Sequence, residues 1–147
     1  MGMCIQLTHA CARFVAEQGA GCLMNLASSN ADNQRAIQKA GALPPLLALL
    51  KDKAGASRRA REYVAGALMT LTLKQPSVQA EVAKGGAIPL LVEMLAEKEG
   101  QMEEVAGALT NLADTNEDNQ AEICKAGARA ATHDAQVPVH TRCSVHH

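Results

Sequence analysis

A 22-residue segment occurs three times in this chain, and it restricts the fold more than any other feature. The run from Gly21 reads GCLMNLASSNADNQRAIQKAGA and the run from Gly107 reads GALTNLADTNEDNQAEICKAGA, with 14 of 22 positions identical. A looser copy, GALMTLTLKQPSVQAEVAKGGA, begins at Gly66, so the copies are spaced 45 and then 41 residues apart. Periods of this length belong to solenoids with two or three helices per repeat. The sequence therefore predicts an all-α solenoid.

Capping and breaking residues predict where the first helix of each repeat begins and ends. A short helix is predicted over 31–40, where the side chain of Asn30 or Asp32 can cap the free N–H groups of its first turn. Gly41 follows at the position where a left-handed backbone carries no Cβ clash, which ends the helix.

Two further helices complete the repeat. Pro44 or Pro45 suits the first turn of a second helix, because no partner for a backbone N–H is needed there, and the leucines that follow form a broad apolar face. A longer third helix is predicted over 58–73 from the helical spacing of its apolar residues. The same patterns predict helices over 101–113 and 117–126.

Composition agrees with a helical core and limits the function classes. Apolar residues make up 48% of the chain, yet Phe14 and Tyr63 are its only aromatic residues, so alanine and leucine, the strongest apolar helix formers, supply most of the bulk. The formal net charge of −1 argues against nucleic-acid binding, which requires a surplus of lysine and arginine. No apolar stretch has the length of a membrane span.

Five cysteines, an odd number, follow no disulfide framework. They are expected to be reduced, which favours a cytoplasmic or nuclear location.

The repeat pattern resembles the armadillo repeat family. The resemblance is carried by three motifs. GALxNLA runs occur at 21–27 and 107–113, and more loosely at 66–72. DNQ-x-x-I segments occur at 32–37 and 118–123, and an AGAhP turn occurs at 40–44 with a similar turn at 85–89. The resemblance implies a right-handed α-solenoid of armadillo repeats that binds another protein and is not an enzyme.

In this interpretation the armadillo-repeat domain covers 13–128, after an N-terminal extension over 1–12. The domain comprises a third helix over 13–28, full repeats over 30–73 and 75–114, and a partial repeat over 117–128. Residues 129–147 lose the repeat and its apolar helix face, so a disordered tail is expected there. Two full repeats lie near the lower limit for a solenoid. Self-association through the ends, or a place in a larger armadillo array, is therefore the alternative to independent binding.

The resemblance implies that the third helices line a groove in which asparagines form a ladder along an extended peptide. The matching positions are Asn25, Thr70 and Asn111. An asparagine amide offers both a donor and an acceptor and so can hold one peptide unit, whereas the shorter hydroxyl of Thr70 interrupts the ladder. An asparagine within a helix can also tie down a neighbouring turn, and this alternative stays open.

Importin-like members of the family carry tryptophan one turn before the ladder, where this chain has Gly21, Gly66 and Gly107. No aromatic face is expected there to stack on a lysine stem, so recognition of nuclear localisation signals is not predicted. The glycines instead favour close helix packing or a shallow groove floor.

Acidic residues lie eight positions before each ladder residue, at Glu17, Glu62 and Glu103, with Glu104 adjacent to the last. A row of carboxylates would attract a basic, extended protein or peptide partner. Glutamate is also common at helix N-termini, where it complements the helix dipole, and both interpretations are kept.

No motif for catalysis is apparent. Neither a phosphate-binding glycine loop nor a serine paired with histidine and carboxylate is found, and no cofactor is predicted. His140, Cys143 and His146 have ligand types suited to zinc, but they lie in the tail, where nothing would hold a fixed geometry. No metal site is therefore predicted.

Overall fold

The computed structural model describes residues 2–97 and 102–127, with side chains described from residue 11 onward. Within these ranges the chain forms eight α-helices: α1 (Gly2–Ala27), α2 (Ala31–Lys39), α3 (Leu43–Lys51), α4 (Arg58–Thr72), α5 (Pro76–Lys84), α6 (Ala87–Ala96), α7 (Met102–Ala113) and α8 (Glu117–Lys125). The helices predicted over 31–40, 58–73, 101–113 and 117–126 begin and end within one residue of α2, α4, α7 and α8.

The first helix differs from its prediction. A third helix was expected from residue 13, after an extension over 1–12, whereas α1 begins at Gly2 and continues to Ala27. Neither glycine nor proline occurs between Gly2 and Gly19, so no residue in that stretch breaks the helix. The repeat pattern alone does not show this continuation, because the pattern reports the part of a helix that packs in the solenoid.

Local capping follows the predicted chemistry. The side chain of Asn30 accepts a hydrogen bond from the Asn33 backbone N–H, so Asn30 rather than Asp32 caps α2. Either Pro44 or Pro45 was predicted in the first turn of the second helix, and both lie in the first turn of α3. Gly41 and Gly86 have φ of 72° and 75°, which confirms the left-handed turn between the first and second helices of both repeats.

The helices stack in layers along the chain. The third helices α1, α4 and α7 pack side by side, and the second helices α3 and α6 pack against each other and against α4 and α7. The first helices α2 and α5 contact the third helix of the next layer, and α8 packs on α6 and α7. The core between them is aliphatic, and its largest fully buried side chains include Leu50, Leu68, Leu91, Leu95 and Leu109.

Glycine permits the close approach of the third helices. Met24 of α1 lies over Gly66 of α4, and Met69 of α4 lies over Gly107 of α7. A Cβ at either glycine would overlap the methionine sulfur. Of the two roles considered for these glycines, the structure supports close packing.

Each third helix ends with a residue in the left-handed region that is not glycine. Ser29, Lys74 and Thr115, which occupy the same position in successive repeats, have φ of 55°, 55° and 54°. This conformation is unfavourable for side chains with a Cβ, and most of all for a β-branched residue such as Thr115.

We expect Thr115→Gly to raise the free energy of unfolding by about 0.5–1 kcal/mol. Relief of the left-handed backbone, worth about 1–2 kcal/mol, exceeds the extra entropy that glycine loses on folding, about 0.5–1 kcal/mol. Urea denaturation followed by circular dichroism measures the change. Thr110→Gly, within α7, is the control and should lower stability. An unchanged or lower stability of Thr115→Gly would contradict the prediction.

Candidate functional site

The exposed sides of α1, α4 and α7 form one continuous surface, called here the third-helix surface. Packing of α1 on α4 and of α4 on α7 places equivalent residues of the three helices next to one another. The three predicted ladder positions occupy equivalent sites on it. Asn25 is exposed, whereas Thr70 and Asn111 are half-buried.

The ladder residues differ in how their side chains are engaged. The Asn111 amide Nδ2 donates to the backbone carbonyl of Met69 at 2.7 Å, which ties α7 to α4. The Thr70 hydroxyl donates to the Ala67 carbonyl of its own helix at 2.8 Å. Among the described residues, Asn25 finds no hydrogen-bond partner for its side chain. Asn111 thus ties one helix to its neighbour, which was the alternative to peptide binding for these asparagines. Its amide oxygen remains available as a hydrogen-bond acceptor.

Glu17 contacts the N-terminus of the next third helix. The Ser57 hydroxyl donates to Glu17 Oε2 at 2.6 Å and accepts a hydrogen bond from the Ala60 backbone N–H at 3.0 Å, so it caps α4 and joins it to α1. The first turn of α4 contains no acidic residue and begins with Arg58 and Arg59. Glu17 therefore supplies, from the neighbouring helix, the negative charge that a helix N-terminus favours.

The other predicted carboxylates lie in two different environments. Glu62 is buried and pairs with Arg58 of the same helix at 3.1 Å, and Arg58 also reaches Glu97 at 3.1 Å. Glu103 is exposed and Glu104 is half-buried, both in the first turn of α7. Glu17 and Glu62 thus hold helices in place, whereas Glu103 presents its charge to solvent.

A stacked pair on α4 was missed by the sequence interpretation. The ring of Tyr63 lies against Gly21 of α1, 3.3 Å from the position of a Cβ there. Arg59 stacks on this ring, its guanidinium carbon 5.5 Å from the ring centroid, and its Nε donates to the Tyr63 hydroxyl at 3.0 Å. That hydrogen bond raises the pKa of the Arg59 guanidinium. No aromatic face was expected at Gly21 to stack on a lysine stem of a partner; the next repeat places the Tyr63 ring there, and Arg59 of this chain stacks on it. The four-residue spacing of Arg59 and Tyr63 was the available signal.

The DNQ segments hold the repeats together. Asn33 and Asn119 each donate to a backbone carbonyl at the end of the preceding third helix, Leu26 or Leu112, at 2.8 Å. The glutamines at the next position do the same one carbonyl further on, and Gln79 keeps this bond in the middle repeat. These amides therefore satisfy helix-end carbonyls that would otherwise lack partners.

None of the helices described is long and apolar enough to cross a membrane. In the part of the chain that the structure describes, no group of three or more histidine, cysteine or acidic residues could hold a metal ion. His140, Cys143 and His146, like the tail predicted over 129–147, lie outside it.

The expectation of reduced thiols holds for only some of the described cysteines. Cys11 and Cys22 are free and exposed. Cys124 is disulfide-bonded, so the expectation is wrong there.

Comparison with solved structures identifies the fold. The chain is similar to the designed armadillo repeat protein YIII(Dq)4CqI, with a TM-score of 0.69 and 24% sequence identity over 84% of this chain and 52% of that one. It is also similar to the designed armadillo repeat protein YIII(Dq.V1)4CPAF in complex with peptide (KR)4, with a TM-score of 0.69 and 24% identity over 82% and 49%. It is similar as well to computationally designed armadillo repeat proteins for modular peptide recognition, with a TM-score of 0.70 and 24% identity over 83% of this chain and 50% of that one.

The chain therefore has the armadillo-repeat fold, and the predicted all-α solenoid is confirmed. It spans about half the length of these designed proteins. No protein-family model matches the sequence, and no curated protein matches it significantly.

We expect Ser57→Ala to lower the free energy of unfolding by about 1–2 kcal/mol, because it removes both the cap of α4 and the hydrogen bond to Glu17. Glu17→Gln keeps the cap and should cost less, under about 1 kcal/mol. Chemical denaturation of both variants measures the difference. An equal or larger loss in Glu17→Gln would show that the cap of α4 is not the main contribution.

Proposed function

We propose that this armadillo-repeat chain is a protein-interaction module that binds an extended segment of a partner protein along the third-helix surface. The observation that carries the proposal is the exposed amide of Asn25, in line with Thr70 and Asn111 on three helices that pack side by side. The proposal includes no catalytic step.

An asparagine amide is useful here because it can bind the peptide backbone of the partner. A peptide in extended conformation has a free N–H and a free carbonyl at each residue, and the Asn25 side chain can bond to both. Asn111 has one amide hydrogen committed to Met69, so its Oδ1 can accept from a peptide N–H. The Thr70 oxygen can also accept, but it reaches less far. Affinity from this surface should therefore be modest and strongest at Asn25.

Charge on the surface indicates the chemistry of the partner. Glu103 and Glu104 present carboxylates at the α7 end, which favours lysine or arginine in the partner segment. Arg59 is exposed on α4. Its positive charge disfavours a basic residue of the partner near Glu17 and Tyr63. A neighbour of the same fold has been solved in complex with the basic peptide (KR)4, and this supports a peptide of that type as the first probe.

The test is binding of synthetic (KR)4 by fluorescence anisotropy at low ionic strength. We expect Asn25→Ala to weaken binding about 3–10-fold, which is the loss of one net hydrogen bond. Asn33→Ala, the same exchange on α2 and away from the third-helix surface, should leave the affinity unchanged. Circular dichroism first establishes that both variants are folded.

Two results would reject the proposal. One is the absence of saturable binding by the folded wild type to (KR)4 and to a neutral extended peptide of equal length. The other is an equal effect of the Asn25 and Asn33 exchanges. Binding of the neutral peptide alone would retain the third-helix surface and reject the basic partner.

Arg59→Ala is expected to act in the opposite direction and to tighten binding of (KR)4 about threefold or more, because it removes a like charge and uncovers the Tyr63 ring. Arg35→Ala on α2 makes the same change in net charge away from the surface and serves as the control. Titration at two salt concentrations measures the effect, which should shrink as salt rises. Weaker binding in Arg59→Ala would show that Arg59 contacts the peptide favourably.

A further inference from the structure

One side of α1 is apolar and exposed. It consists of Val15, Gly19, Cys22 and Leu26, which follow each other at helical spacing, and it is called here the end face. Val15 is 68% exposed and Leu26 is 55% exposed, and Gly19 and Cys22 are exposed as well. Burial of leucine and valine side chains away from water is favourable in free energy, so the end face is suited to contact with a partner.

The same side of the later third helices is buried. The equivalents of the end face are Ala60, Val64, Ala67 and Leu71 in α4, and Val105, Ala108 and Leu112 in α7, all of them at most 2% exposed. Leu26, Leu71 and Leu112 are the same residue at the same position of three repeats. Their exposures of 55%, 2% and 0% therefore differ only because of what lies in front of each helix.

The chain itself shows which elements cover this side. In front of α4 lie the preceding third helix, α1, and then α2 and α3. In front of α7 lie α4, α5 and α6. The end face therefore fits a third helix together with the first and second helices that follow it. The described residues contain the first two of these elements, α7 followed by α8, and no later described helix covers their far side.

The exposed side of α7 supports this pairing. Glu103 is exposed although its equivalent in α4, Glu62, is buried beside the next layer, and Thr110 is exposed although its equivalent Met69 is half-buried against Gly107. Thr110 also lies in the last turn of α7, where backbone carbonyls lack partners within the helix.

Asn25 gives a second, independent indication. Its equivalent Asn111 donates to the carbonyl of Met69 in the preceding third helix. The residue of α7 equivalent to Met69 is Thr110, as the repeat spacing of 41 residues shows. When an α7 helix lies in front of α1 in the same register, the Asn25 amide faces the Thr110 carbonyl.

We propose that the end face of one copy packs on the α7–α8 end of a second copy, in the register in which α4 packs on α1, with Asn25 donating to the Thr110 carbonyl of that copy. The two surfaces are different, so the contact is head-to-tail and does not close on itself. It would continue the third-helix surface from one copy into the next. This association goes beyond peptide binding and is measured without any peptide.

Light scattering across a concentration series tests the association. The wild type should exceed the monomer mass of 15.4 kDa as concentration rises. Leu26→Glu should lower the association constant at least about tenfold, because a charge replaces a leucine that is buried in the contact. Leu73→Glu changes an exposed leucine outside the end face and should leave association intact. Val15→Glu is the second variant, and circular dichroism establishes that each is folded.

Cross-linking tests the register. In a chain in which serine replaces all five native cysteines, one sample receives Asn25→Cys and another receives Thr110→Cys. Mild oxidation of the mixture should join one chain of each kind, while the parent without either new cysteine shows no such product. Asn25→Cys chains joined only to one another would indicate a symmetric contact and overturn the head-to-tail proposal.

A wild type that stays at 15.4 kDa at all concentrations would overturn the association itself. The peptide-binding proposal would be unaffected by that result, since the (KR)4 titration is done with dilute protein. Equal loss in Leu26→Glu and Leu73→Glu would likewise reject the end face as the contact.

Discussion

The close approach of the third helices is the constraint on which the rest of this structure depends. Gly66 and Gly107 lack a side chain at the point where Met24 and Met69 cross from the preceding layer. Because the helices come this near, Asn111 reaches the Met69 carbonyl, and the residues of one layer line up with those of the next. The third-helix surface is a result of that packing.

The middle repeat differs most from the sequence shared by the outer two, and its burial between them compensates for the cap that it lacks. Asn30 and Asn116 cap the first helices of the outer repeats through their side chains, whereas Gln75 at the same position of α5 makes no such bond. Pro76 in the first turn supplies a fixed φ instead. Gln79 is buried and still binds the Thr72 carbonyl. A repeat covered on both sides can thus lose a cap and keep its place, because its neighbours hold it.

Equivalent residues acquire different roles according to their layer. Glu17 joins α1 to the N-terminus of α4, Glu62 pairs with Arg58 in the interior, and Glu103 faces solvent. The same holds for Asn25 and Asn111, of which one is exposed and the other ties two helices. In a solenoid each repeat contacts only its neighbours, so a side chain that is structural inside the stack is available for binding at its end.

The sequence by itself determined the repeat and most helix ends, though not the start of α1 at Gly2. These ends depend on contacts within a few residues: a cap at Asn30 or Asp32, Gly41 and Gly86 in left-handed turns, and a proline in a first turn. Tertiary structure alone decided which side chains are engaged. The bond from Ser57 to Glu17 and the bond from Asn111 to Met69 join residues 40 and 42 positions apart. Whether such pairs meet depends on how far one helix is displaced along the next, which no local pattern encodes.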